Sequence, residues 1–154
     1  MNNTGADAGP RAGNASDFKV DDVNLGFLLI AATDARSRAY APYSAFPVGA
    51  AVLTESGAIY GGCNVESASY PLGCCAERVA IYKAVSDGHR RITCVLVITD
   101  TTPPAAPCGG CRQVILEFGP DAEVICTNLA GTVRVTDMAT LLPFGFGGSE
   151  LPPR

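Results

Sequence analysis

The run Ile92-Thr93-Cys94-Val95-Leu96-Val97-Ile98-Thr99 constrains the fold of this chain more than any other segment. It is rich in β-branched residues and carries no charge, so it reads as a strand buried on both faces. Such a strand needs a covering layer on each side, and its neighbours supply helices. Val23, Phe27, Ile30, Ala31 and Ala35 recur at helical spacing, Asp21 and Asp22 suit a helix start, and Pro42 forbids continuation. Residues 48–54 and 58–64 read as two strands joined by a turn at Glu55-Ser56-Gly57. A helix is expected over 75–85, ending near Gly88, and Pro103, Pro104 and Pro107 keep the next stretch a loop. A helix over 111–118 is closed by Gly119 and Pro120. Strands follow at 123–127 and 132–135, then a short helix over 137–142 with Thr136 as its cap. The order α, β-β, α, β, α, β, β, α predicts a central sheet with helices on both faces.

The 154 residues suffice for one compact domain. Residues 1–18, rich in Gly, Ala, Asn and Asp, read as a disordered polar tail, which leaves 19–154 as the single domain. The net charge of −4 and the lack of a basic stripe argue against nucleic-acid partners and suit a small substrate. No apolar run is long enough to cross a bilayer, so no membrane partner is expected. The polar N-terminus lacks the apolar stretch of an export signal, so a cytoplasmic location is expected.

Seven cysteines are then too many to ignore: Cys63, Cys74, Cys75, Cys94, Cys108, Cys111 and Cys126. In a reducing compartment they are metal ligands or small buried apolar residues, and a disulfide framework is the poorer reading. Cys63, Cys94 and Cys126 lie in strand-like runs and read as core. Cys75 and the Pro107-Cys108-Gly109-Gly110-Cys111 segment fall at two predicted helix starts. There the unpaired N–H groups and the helix dipole lower the cost of a thiolate, the form that binds metal. Cys108 and Cys111 share a helix face, and Pro107 suits a helix entry. Three thiolates leave a tetrahedral zinc ion one open position, the mark of a catalytic site. Glu77, two residues after Cys75, can reach the same volume from the first helical turn and move protons beside a metal-bound water. A structural zinc site closed by a fourth cysteine, or a redox pair, remains an alternative; Cys74 is expected to diverge from its neighbour. His89, the only histidine, is expected to be solvated and uninvolved in chemistry.

Cys75-Ala76-Glu77 and Pro107-Cys108-Gly109-Gly110-Cys111 form an all-cysteine variant of the zinc nucleobase deaminase signature. Further segments extend the resemblance: Tyr43-Ser44-Ala45-Phe46-Pro47-Val48-Gly49-Ala50, Gly62-Cys63-Asn64-Val65-Glu66, Ser69-Tyr70-Pro71-Leu72, Arg78, Arg112-Gln113 and Leu141-Leu142-Pro143. From Leu25 to Leu151 the chain resembles the small homotetrameric cytidine deaminases. The resemblance implies a three-layer α-β-α sandwich with a mixed five-stranded central sheet. It implies Zn2+ held by Cys75, Cys108 and Cys111, Glu77 as the catalytic proton carrier, and Arg78 donating to the zinc-bound sulfurs. Asn64 and Glu66 match the pair that holds the ribose 3′-hydroxyl, and their alternate spacing puts both on one face of a strand. Phe46 matches an aromatic residue on the pyrimidine, Ala76 offers its backbone to the base, and Phe146 reaches a neighbouring subunit's base in a homotetramer. Phe146-Gly147-Gly148 departs from the Phe-Gly-Pro common in that family. The implied reaction is hydrolytic deamination of cytidine and 2′-deoxycytidine in pyrimidine salvage, with release of ammonia. A deaminase of cytosine-containing antibiotics, a polynucleotide-editing deaminase and a zinc-stabilised interaction module are the competing readings.

Overall fold

The computed structural model of the chain describes residues 19–152; the expected tail over 1–18 lies outside them. Helix α1 (Asp22–Ser37) starts at Asp21, whose carboxylate accepts from the Asn24 N–H at 2.9 Å. A hairpin of β1 (Gly49–Thr54) and β2 (Ile59–Cys63) follows. Then come α2 (Ala76–Ser86), β3 (Ile92–Thr99), α3 (Gly109–Phe118), β4 (Glu123–Asn128), β5 (Val133–Asp137) and the one-turn α4 (Met138–Leu141).

The sheet order is β2-β1-β3-β4-β5. The long apolar run therefore lies in the middle, as its lack of charge predicts. It pairs antiparallel with β1 and parallel with β4, and the edge strands β2 and β5 are antiparallel to their neighbours. The sheet is mixed.

Period-two alternation sorts its side chains into two cores. Ala51, Leu53, Cys94, Leu96, Ile98 and Ile125 face α1, which buries Leu28 and Ala32 against them. Ala50, Val52, Val95, Val97, Val124 and Cys126 face the other way, onto Ala80 and Ile81 of α2, Ile115 of α3 and Met138 of α4. The result is the expected α-β-α sandwich.

Two local expectations are corrected. On α1 the buried residues are Leu28, Ala32 and Ala35, whereas Val23, Phe27 and Ile30 are exposed. Of the expected set Ala35 is buried and Ala31 packs on the core, and Leu28 and Ala32 take the place of Val23, Phe27 and Ile30. The cap of α4 is Asp137, whose carboxylate accepts from the Thr140 N–H at 2.8 Å, one residue later than the expected Thr136.

The strand register gathers the chemistry at one end. Gly49, which opens β1, pairs with Cys63 at the close of β2 and with Ile98 near the close of β3. The segments after β2 and β3, and the one before β1, thus emerge side by side. Gly62 on β2 brings α2 close: a Cβ there would lie 2.5 Å from the Ala76 carbonyl oxygen and 2.4 Å from the Ala80 nitrogen. No helix among the described residues is long and apolar enough to cross a membrane.

Candidate active site

Cys75 is the N-cap of α2 and Cys108 the N-cap of α3; Cys111 lies in the first turn of α3. The two helix starts face each other, and the Cys75 and Cys108 sulfurs are 3.8 Å apart. All three sulfurs lie within 4.8 Å of one another, the one such metal-ligating group among the described residues. Zinc–sulfur bonds of about 2.3 Å in tetrahedral geometry place ligand sulfurs about 3.8 Å apart, so the donor set fits zinc in both chemistry and spacing. Cys74 lies outside the group, and its half-buried thiol is pushed up by burial. Cys94 and Cys126 are buried core residues, as expected, while Cys63 is half-buried with its thiol 3.4 Å from the Arg38 carbonyl.

A thiolate is favoured at Cys75. Its pKa is lowered to about 5 by a hydrogen bond from Cys111, with Arg78 and Cys108 adding to the effect. Cys111, the donor, is correspondingly pushed up. The Arg78 guanidinium lies 3.9 Å from the Cys75 sulfur and donates to the Gly73 carbonyl at 3.1 Å. Its Nε is buried without a partner, so this cation faces the sulfur cluster with hydrogen-bonding capacity to spare. Three thiolates and one divalent zinc carry a net negative charge, which the guanidinium offsets.

Glu77, in the first turn of α2, is only 4 % exposed. Burial pushes its carboxyl up, and the negative charge of Cys75 acts in the same direction, against the pull of its own backbone N–H. A cleft of about 300 Å³ opens above it, lined by Phe46, Asn64, Glu66, Cys75, Ala76, Glu77 and Cys108 among others. Most of the residues singled out from the sequence are thus brought to one place. Phe46 lines this cleft and is 39 % exposed.

Asn64 and Glu66 flank Val65, which bridges to Tyr40 and Cys74 beyond the end of β2. Both already hold the loop before β1. Asn64 accepts from the Val48 N–H at 2.8 Å and donates to the Phe46 carbonyl at 2.9 Å. Glu66 accepts from the Tyr43 and Ser44 N–H groups at 2.8 and 3.2 Å and from the Ser44 hydroxyl. These bonds, the Ser44 hydroxyl first, hold its carboxyl below the usual range. Ala45 between Ser44 and Phe46 takes a left-handed conformation, φ 53°, of the strained kind found at ligand sites.

Phe146 does not line the cleft of its own chain; it is exposed, and its carbonyl accepts from Gln113. His89 is half-buried, with Nδ1 3.1 Å from the Ser56 hydroxyl and its ring against Tyr60, at the hairpin end of the strands. It is packed rather than fully solvated, and it is remote from the cleft. Ser44, Val48, Val97, Thr99, Ala105 and Ala106 also line the cleft, and the sequence reading assigned them no site role. Their one signal was position, next to the Phe46 motif or at the end of the central strand.

A family model described as the cytidine and deoxycytidylate deaminase zinc-binding region matches residues 25–127. A protein named cytidine deaminase from Sporosarcina psychrophila is 50 % identical over 125 residues, covering 80 % of this chain and 92 % of that one. Another of that name, from Halalkalibacterium halodurans, is 44 % identical over 125 residues, covering 80 % and 95 %. The crystal structure of cytidine deaminase from Burkholderia pseudomallei superposes with a TM-score of 0.76 at 50 % identity, covering 79 % of this chain and 98 % of that one.

Proposed function

This chain belongs to the cytidine and deoxycytidylate deaminase family, and from that membership we propose that it hydrolytically deaminates cytidine and 2′-deoxycytidine, releasing ammonia, in pyrimidine salvage. The observation that carries the proposal is a buried carboxylate, Glu77, beside a three-thiol metal site at the floor of a nucleoside-sized cleft.

Cys75, Cys108 and Cys111 would hold Zn2+, with Arg78 offsetting the charge of their sulfurs. The bound ion supplies Lewis acidity, which brings the deprotonation of water toward neutral pH. Glu77 then works as the proton carrier. It takes one proton from the attacking water and delivers it to N3 of the pyrimidine as C4 gains the oxygen, then takes the proton left on that oxygen and hands it to the departing nitrogen as the C4–N bond breaks. Water and cytidine become uridine and ammonia, and Glu77 ends as it began. Burial raises its carboxyl pKa, the direction that suits a group that both takes and gives protons. Phe46 supports the ring and the Ala76 backbone meets the base. Asn64 and Glu66 take the 3′-hydroxyl from positions their loop bonds have already fixed, so little ordering is left for substrate to impose. Phe146, turned away from its own cleft, serves a neighbour's within a homotetramer.

The test follows ultraviolet absorbance during incubation with cytidine, 2′-deoxycytidine, free cytosine and a single-stranded cytosine-containing oligonucleotide. Both nucleosides are expected to react, with metal analysis giving one zinc per chain. Cytosine is expected to react poorly, because it lacks the sugar contacts that position the base. Turnover of the oligonucleotide in preference to the nucleosides would overturn the substrate assignment, and no turnover at all would favour the interaction module.

A further inference from the structure

We propose that Arg112 is a positioning residue for Cys108, tying metal retention at that sulfur to the end of α4. The proposal rests on the ligand assignment above. Cys108 is the most exposed of the three ligands, where Cys75 is half-buried and Cys111 buried. Neither Gly109 nor Gly110 has a side chain, and a Cβ placed on either would meet no atom within 4 Å.

The Cys108 backbone is held on both sides from position 112, and the bond on the Pro107 side depends on the arginine side chain. The Arg112 side-chain Nε donates to the Pro107 carbonyl at 2.8 Å. Its main-chain N–H donates to the Cys108 carbonyl at 2.9 Å. The same guanidinium reaches away from the metal site and donates through Nη1 to the Leu141 carbonyl, the last of α4, at 2.8 Å. A helix-end carbonyl lacks an intrahelical partner and carries partial negative charge, so it is a firm anchor for a cation. Leu141 in turn packs on the core beneath α2 and α3. Because the guanidinium is planar and its donors have fixed directions, the two carbonyls are held at a set separation. Lysine has one charged point and cannot span both. Gln113, the next residue, reaches the C-terminal segment at the Phe146 carbonyl but touches neither side of Cys108.

The test uses the full-length zinc-loaded protein and measures the rate of zinc transfer to the chelator 4-(2-pyridylazo)resorcinol. R112A is expected to release zinc about tenfold faster or more, in line with the effect of removing a group that orients a metal ligand. R112K should fall between R112A and the unaltered protein, and Q113A should release zinc at the unaltered rate. With zinc saturating, KM for cytidine should stay the same in R112A, since the side chain does not line the cleft. Unaltered release from R112A, or equal acceleration in Q113A, overturns the proposal. Should R112A fail to fold, R112K decides, and an unaltered rate there overturns it. C108A separates this idea from its premise: zinc fully retained in C108A overturns the ligand assignment itself, and this proposal with it.

Discussion

Glu77 sits in the first turn of a helix, where amide dipoles favour a negative charge, yet its burial dominates and raises its pKa. That balance separates its chemistry from its contribution to the fold. Glu77→Gln keeps the shape and removes the titration, so it should retain zinc and secondary structure while turnover falls by at least ~10²–10⁴-fold. Metal analysis, circular dichroism and the cytidine assay check the three parts; near-normal turnover would assign the proton transfers to another group. At this scale the sequence was informative wherever a residue type has narrow uses. Paired cysteines at helix starts beside a glutamate have few uses other than metal chemistry. Thr99, Ala105 and Ala106 carry no such signal, because an alanine or threonine becomes a cleft wall only through where the chain has carried it. Nor could the sequence reveal that Asn64 and Glu66 brace the loop holding Phe46.

Among the elements, α2 bears the heaviest demand, since its first turn presents Cys75, Ala76, Glu77 and Arg78 together. Its seat is the bare backbone of β2 at Gly62. A methyl group at that position would strike the backbone of Ala76 and Ala80, which cannot rotate away. Gly62→Ala should therefore push the helix outward, costing about 1–3 kcal/mol of stability as overpacking does, and it should lower turnover more than a surface change of equal cost. Thermal denaturation and steady-state kinetics measure the two effects; an unaltered Tm would show that the helix has room to spare. The order of elements was legible because short apolar runs bounded by turn residues alternate with segments of helical spacing along this chain. The facing of α1 was not. Leu28 and Ala32 compete with Val23, Phe27 and Ile30 for the sheet, and spacing alone gives both sets equal claim. Helix-to-sheet distance settles it, and that distance is a property of the fold.

The molecule as a whole leaves much apolar surface uncovered. Val23 is 67 % exposed, Phe27 57 % and Ile30 67 %; Phe144 and Phe146 project from the far end of the chain. Large exposed apolar side chains of that kind mark contacts with other chains, and repeated two-fold contacts are the usual way copies of one chain close them off. Light scattering should report four chains. Deletion after Pro143 removes both phenylalanines and should impair assembly and turnover together, whereas a fully active monomer would show that a neighbour's ring is not needed. The ionised Glu66 at the cleft has a different consequence. A cytosine inside a polynucleotide has no free 3′-hydroxyl to offer; it brings a phosphodiester instead, and here that negative charge would approach a carboxylate. An enzyme that turns cytosine into uracil corrupts genetic text if it reaches the wrong polymer. In the role proposed for Glu66, one carboxylate, held in place by Ser44, would confine this chemistry to loose letters and keep it off the written line.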